Sequence, residues 1–284
     1  MGRLWLWLLM GLGAMPGSPQ EFVDWQAVSG IRLEATKNSQ VMETARMLTD
    51  VLGPRLTNSP NMPRAEAWAK ETMARWGLAN VRLEGFEFGR GWTFARCAVE
   101  MVKPTHAVLS AYPKGWSPGT EGRRVGEAVR VTLATEQDLE QQKGKLGGKI
   151  LLLHPPAEIK PPEEPLFKRL SEEDLEQIKQ FSLRPPRDDQ WRQQARREWT
   201  FGRRLAQFLA AEGVVATVEV SSRDGGAVRV TGTPAWRTDF PAGVPALVMA
   251  AEAYNRFARL LEQGERVELA VEVEAQFVEG DPRA

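Results

Sequence analysis

Two histidines and one cysteine are the only imidazole and thiol groups in this 284-residue sequence. His106 and His154 lie far apart, and neither has Asp, Glu or Cys at ligand spacing. A catalytic zinc site ordinarily takes three protein ligands and a water, so the pair does not define one. His154 closes the run Leu151-Leu-Leu153 ahead of Pro155, which predicts a strand-end residue touching loop backbone. Cys97 could be a nucleophile only with a histidine beside it in space. Among Phe94, Ala98 and Val99, a small core residue is the plainer expectation. Glu163-Glu164 sits between prolines in a loop, and Glu172-Glu-Asp174 stands where acidic groups favour a helix N-terminus. Trp92 and Trp116 fall in loops, where they could form a ligand-contacting rim or pack beneath the chain. The serine-hydrolase elbow, the HExxH zinc pattern and a phosphate-binding glycine loop are all missing. On residue types alone, no catalytic, cofactor-binding or metal-binding residue is assigned.

Composition narrows the class. The chain is 42% hydrophobic and 26% charged, and its length suffices for one large domain or two ordinary ones. Thirty-seven basic residues balance thirty-seven acidic ones, so no net field favours nucleic acid or anionic lipid. Arg184, Arg187, Arg192, Arg196, Arg197, Arg203 and Arg204 cluster locally, but Asp188, Asp189 and Glu198 are interleaved, which reads as a solvated helix surface. A single cysteine permits no intrachain disulfide, leaving stability to packing. At the N-terminus, Met1-Gly-Arg3, the apolar Leu4-Trp-Leu-Trp-Leu-Leu-Met10 and the turn-rich Gly11–Ser18 form the layout of a secretory signal peptide over 1–17. The apolar run is too short to span a bilayer, so the expected location is secreted or periplasmic, with no stable membrane span.

The elements follow from periodicity. After a polar, weakly patterned stretch, Val41, Ala45, Leu48 and Leu52 recur at helical spacing behind Asn38 or Ser39 as N-cap. Gly53-Pro54 stops that helix, and a second begins near Asn61 and Pro63 and closes at Gly77. Val81 and Leu83 alternate as a strand, continued by Phe86 and Phe88 past a bulge at Gly85. From Phe94 onward, short apolar runs (Cys97 to Val102, Ala107 to Tyr112, Val125 to Leu133, Ile150 to Leu153) alternate with Gly/Pro loops, a β-rich pattern. A capped helix at Ser171 and a longer one over about Gln190 to Glu212 precede a strand at Val214–Val220. After a turn at Asp224-Gly-Gly226 come Ala227 to Thr231, Val244 to Ala250, a helix around Ala251 to Glu262, and the alternating Val267–Val273.

The stretch Leu48-Thr-Asp-Val-Leu-Gly-Pro-Arg-Leu-Thr-Asn-Ser59 with Trp76-Gly-Leu-Ala-Asn-Val-Arg-Leu-Glu84 resembles the N-terminal segment of family twenty-eight of the metallopeptidases. It is most similar to the carboxypeptidase Q-like (plasma glutamate carboxypeptidase-like) branch. Phe88-Gly-Arg-Gly-Trp92 and Ala111-Tyr-Pro-Lys-Gly-Trp-Ser-Pro-Gly-Thr120 are similar to segments of its bacterial members. Gly144-Lys-Leu-Gly-Gly-Lys-Ile-Leu-Leu-Leu153 and the order Glu212-Gly-Val-Val-Ala-Thr-Val218, Val244-Pro-Ala-Leu-Val-Met249, helix, Gly264 resemble the protease-associated domain inserted in such peptidases. Asn58 replaces the glycine that relatives carry, and asparagine tolerates a left-handed backbone.

The resemblance implies an exported di-zinc exopeptidase acting on peptides, with zinc held by His, Asp and Glu and a paired glutamate as general base. In that family these residues follow the inserted module, and a zinc-bound water attacks the peptide carbonyl. Glu163-Glu164 lies inside the module and does not inherit the base's role. The expected organisation is a signal peptide over 1–17, the N-terminal segment of the peptidase domain over 18–93, a protease-associated-like domain over 94–275 and a return toward the catalytic domain over 276–284. In fold terms that is an α/β opening of two helices plus a strand, from an incomplete peptidase domain, followed by a β-rich α+β module. No cofactor would be bound by this chain, although the complete family enzyme holds two zinc ions. Expected partners are a peptide substrate in the complete enzyme and a second copy in a homodimer. The alternative is a free-standing secreted binding module of the protease-associated type. The two differ in one visible respect. A half-enzyme should leave Val41, Leu48, Trp68, Trp76 and the strand as exposed apolar surface.

Overall fold

The computed structural model describes residues 23–160, 165, 167–180, 188–223 and 225–278. The expected signal peptide, Glu163-Glu164, Arg184, Arg187, Asp224 and the stretch 279–284 lie outside the described residues. The chain divides into two compact units, Met1–Val51 and Leu52–Ala284. No described helix is long and apolar enough to cross a membrane.

In the first unit, α1 (Trp25–Lys37) begins at Asp24, whose carboxylate accepts from the backbone N–H groups of Gln26 and Ala27. The sequence signalled nothing regular here because none of its residues is buried, so it carries no core-facing stripe. Next comes α2 (Val41–Arg46), which continues as a π-helical turn over Met47–Val51. Its N-cap is Gln40 rather than Asn38 or Ser39, because Asn38 already closes α1.

In the second unit, α3 (Met62–Arg75) has Pro63 in its first turn and ends at Trp76. Gly77 follows at φ 85°, the left-handed position the sequence predicts. The expected strand over Val81–Phe88 does not form. The segment pairs with no described strand, and the first strand, β1 (Gly91–Lys103), starts only after it. The expected boundary at 93/94 falls inside β1.

The sheet is completed by β2 (Ala107–Val108), β3 (Ala111–Pro113), β4 (Arg124–Arg130), β5 (Ile150–Leu152), β6 (Ala216–Val220), β7 (Ala246–Met249) and β8 (Glu268–Val278). Among the described residues the spatial order is β2-β1-β8-β4-β5-β6-β7-β3. The four strands β4, β5, β6 and β7 run parallel, and the outer pairings are antiparallel. Parallel neighbours require crossovers, supplied by α4 (Glu136–Gln142), by α5 (Glu172–Lys179) with α6 (Asp189–Ala211), and by the loops after β6. A further helix, α7 (Ala251–Glu262), joins β7 to β8.

Strand alternation assigns the two faces. Ile150 and Leu152 join Val218, Leu247, Leu269 and the α7 residues Tyr254 and Phe257 in one core. Leu151 points the other way, to Leu139 of α4, Leu146 and Leu209 of α6. The centre is therefore a mixed α/β layer with helices on both faces, not the β-rich α+β module expected from short runs and loops. An uninterrupted Ile150-Leu-Leu is what a strand buried on both faces requires. α4 opens on a capping box in which Thr135 and Asp138 exchange side-chain and backbone bonds, a signal carried by the local sequence Thr135-Glu-Gln-Asp138.

Candidate functional site

The loop between Gly53 and Asn61 is built by local geometry. Gly53 takes φ 68° ahead of Pro54, and Asn58 takes φ 59°, the left-handed backbone expected of it. The Asn61 side chain donates to the Leu52 carbonyl and, at 3.0 Å, to that of Pro54, tying both ends of the loop together. From the loop, Asn58 Nδ2 donates to the Gly89 carbonyl at 2.9 Å. This docking leaves a groove of about 400 Å³ lined by Leu56, Ser59, Asn61, Arg64, Trp92 and Phe94, among others. A second hollow, of about 300 Å³, lies along the β1–β8 ribbon between Thr93–Ala95 and Glu274–Gln276. The Ser59 hydroxyl is buried without a hydrogen-bond partner in the structure. Among the described residues the groove has one charged lining residue, Arg64, and no carboxylate or imidazole, so these residues can receive a group but supply no acid–base pair.

The residues singled out by type are scattered. His106 is exposed, with Nε2 4.0 Å from a Glu100 carboxylate oxygen. His154 follows β5 with its side chain exposed, while its backbone N–H donates to Tyr254 Oη and its carbonyl accepts from the same hydroxyl. It stands just past the strand end as expected, but the contact is between its backbone and the Tyr254 hydroxyl of a helix, not between its side chain and loop backbone. Among the described residues no group of three or more His, Cys, Asp or Glu comes together to hold a metal ion. Glu172 to Asp174 form the first turn of α5, where the backbone N–H of Ser171 and then its hydroxyl hold the Asp174 carboxyl below its usual range.

Cys97 is half-buried in β1, its Sγ 3.6 Å from the Ala111 carbonyl, and burial pushes its thiol up to about 11. The reactive species is the thiolate. Alkylation of the folded chain near neutral pH is expected to run about a hundredfold slower than for a thiol at 9.0. Iodoacetamide labelling followed by mass spectrometry checks this, and labelling at the rate of the unfolded chain would contradict it.

Trp92 is buried, donating through Nε1 to the Ser117 carbonyl at 2.7 Å. Trp92 therefore lies in β1 rather than in the expected loop and lines the groove, whereas Trp116 is a loop residue that donates to the Arg90 carbonyl at 2.8 Å. Among the clustered arginines, Arg192 pairs with Asp189, Arg204 with Glu136 and Arg203 with Asp239, as a solvated helix surface would. Sequence reasoning missed Arg90. Its guanidinium donates to the carbonyls of Ala235, Thr238 and Phe240, clamping a distant loop onto the start of β1. Nothing in the local sequence announces a contact across some 145 positions.

With this geometry the class can be stated as a mixed α/β fold. It is similar to that of a peptidase M28 precursor from Shewanella amazonensis SB2B, at a TM-score of 0.52 and 18% identity, over 90% of this chain and 51% of that one. An aminopeptidase from Aneurinibacillus sp. strain AM-1 aligns at TM-score 0.43 and 17% identity, over 87% of this chain and 47% of that one. A zinc aminopeptidase from Bacillus subtilis aligns at 0.43 and 12%, over 83% and 44% respectively. The chain spans about half the length of these solved structures. No family model and no curated protein matches the sequence.

Proposed function

We propose that this chain is the N-terminal portion of an exported di-zinc exopeptidase of the carboxypeptidase Q-like kind, hydrolysing peptides only together with the half of the fold it does not span. The observation that carries this is the run of exposed apolar residues from the last turn of α3 through the segment that follows it. Met73, Trp76, Leu78, Leu83 and Phe86 are all exposed, with Trp76 57% exposed. In the first unit Val41 is exposed as well and Leu48 is half-buried; in the second, Trp68 of α3 is half-buried. Of the residues the half-enzyme reading names, Val41 and Trp76 are exposed as expected and Leu48 and Trp68 are not; the likeness of the fold to part of an M28 peptidase precursor adds support. The described residues do not fit a di-zinc site, so no catalytic step is routed through them. Their contribution is positional: the sheet and the loop docked on Gly89 would shape one wall of a peptide cleft.

The test measures zinc by mass spectrometry and release of an N-terminal amino acid or a dipeptide product by the purified chain. Neither stoichiometric zinc nor turnover is expected from the chain alone. Stoichiometric zinc with turnover would sink the reading.

A further inference from the structure

The groove at the head of α3 contains a polar group that the fold does not use. Ser59 is 7% exposed and belongs to the groove lining. Among the described residues its hydroxyl is the one buried side-chain polar atom without a hydrogen-bond partner. Desolvating a hydroxyl without a partner opposes folding, so buried hydroxyls are ordinarily satisfied. A hydroxyl left over by the fold in the wall of a groove is available to a ligand.

The surroundings state which ligand. The Ser59 carbonyl accepts from the Met62 backbone N–H at 3.0 Å, which sets the residue at the N-terminus of α3, where the helix dipole favours negative charge. Arg64, in the first turn of α3, donates to the Asn61 side-chain oxygen at 2.9 Å and is ion-paired with no described residue. No described carboxylate lines the groove, so nothing there recognises an amine. Much of the remaining lining is apolar. Trp92 and Phe94 stand on one face of β1 with ring centroids 5.6 Å apart, and Leu56 lines the same groove.

We propose that this groove binds a carboxylate carried on an apolar body. The carboxylate accepts from the Ser59 hydroxyl and the Arg64 guanidinium, and the apolar part rests on Leu56, Trp92 and Phe94. One guanidinium and one hydroxyl match the single charge of a carboxylate better than the double charge of a phosphate. A volume of about 400 Å³ admits about a dozen non-hydrogen atoms, taking water's share of roughly 30 Å³ for each. Two sources share this chemistry, the C-terminus of a peptide and a fatty acid. Asn61 and Thr93 in the lining can meet an amide, which favours the peptide terminus. That choice of source rests on the peptidase reading, whereas the carboxylate site does not.

Ligand-observed NMR titration of the full chain, with no metal added, tests this using N-acetyl-L-leucine, N-acetyl-L-leucinamide and octanoate. N-acetyl-L-leucine is expected to bind with a Kd of about 1 mM or below, and the uncharged amide about tenfold more weakly. Ser59→Ala and Arg64→Gln should each weaken the acid about fivefold or more and leave the amide unchanged. Ser59→Ala should also keep or raise the urea midpoint, because it removes an unpartnered polar atom, whereas a serine serving only the fold would lower it. Absence of saturable binding by either carboxylate up to about 10 mM, an amide that binds as tightly as the acid, undiminished affinity in both variants, or a Ser59→Ala midpoint below the wild type would each overturn the proposal. Octanoate binding more tightly than N-acetyl-L-leucine would overturn the peptide source and assign the site to a fatty acid. Neither zinc nor hydrolysis enters the measurement, so its failure is distinct from failure of the peptidase reading.

Discussion

Gly91→Ala is expected to destabilise the second unit by about 3 kcal/mol or more. A Cβ built on Gly91 would lie 2.0 Å from the Asn58 carbonyl oxygen and 3.1 Å from that of Val278. Neither neighbour can give way cheaply. Val278 is the partner of Gly91 in the β1–β8 ladder. Asn58 is held by a left-handed backbone and by its side-chain bond to Gly89. Gly89 is confined in the same way, since a Cβ there would meet the Trp236 carbonyl oxygen at 1.9 Å. That carbonyl is itself fixed, accepting from the Arg90 backbone N–H at 2.7 Å. Overpacking against side chains can be relieved by rotamer changes, but a clash with backbone must move a strand or a loop. Gly202→Ala supplies the control. It lies inside α6 with nothing nearer to a new Cβ than Phe240 at 3.8 Å, so alanine should leave stability unchanged or raise it by about 0.5–1 kcal/mol. Urea midpoints of the two variants check both signs. Equal midpoints for Gly91→Ala and wild type would show that the loop and strand do not approach as described.

The two glycines of Phe88-Gly-Arg-Gly-Trp92 illustrate where sequence reasoning reaches and where it ends. The motif was recognisable as a string, and a glycine near a strand suggests close approach of another backbone. Its partners, Asn58 and Trp236, lie in separate loops that no periodicity connects. Local chemistry was legible where it is self-contained. The Ser171 capping box, the Gly77 stop and the left-handed Asn58 all depend on residues within a few positions. Alternation at Val267–Val273 fixed β8, because Leu269, Val271 and Val273 share one buried face. The same alternation at Val81–Phe88 produced no strand, since pairing needs a second edge that the pattern itself does not supply. The candidate site suffered most. Its groove is made by docking Leu56, Ser59 and Arg64 against Trp92 and Phe94, a long-range event without a local signature.

Phe257→Ala is expected to cost about 3–5 kcal/mol, measured as a fall in the urea midpoint with the slope unchanged. Phe257 is fully buried on α7, beside Tyr254 and Ala258 on the face that meets the sheet. Its ring shares the core with Ile150, Val218, Leu247 and Leu269, residues of four different strands. Removing it opens a cavity walled by strands that cannot collapse independently. Phe257→Leu, which keeps most of the volume, should cost less than the alanine variant. Trp76→Ala, at an exposed ring of similar hydrophobic content, should stay within about 0.5 kcal/mol in the isolated chain. The contrast is diagnostic of how the apolar residues are divided. If Trp76→Ala proved as costly as Phe257→Ala, the indole would belong to the core and the exposed surface that supports the half-enzyme reading would not exist. A silent Trp76 beside an essential Phe257 means instead that the sheet is stabilised by its own core, while the end of α3 keeps its apolar surface for contacts outside it.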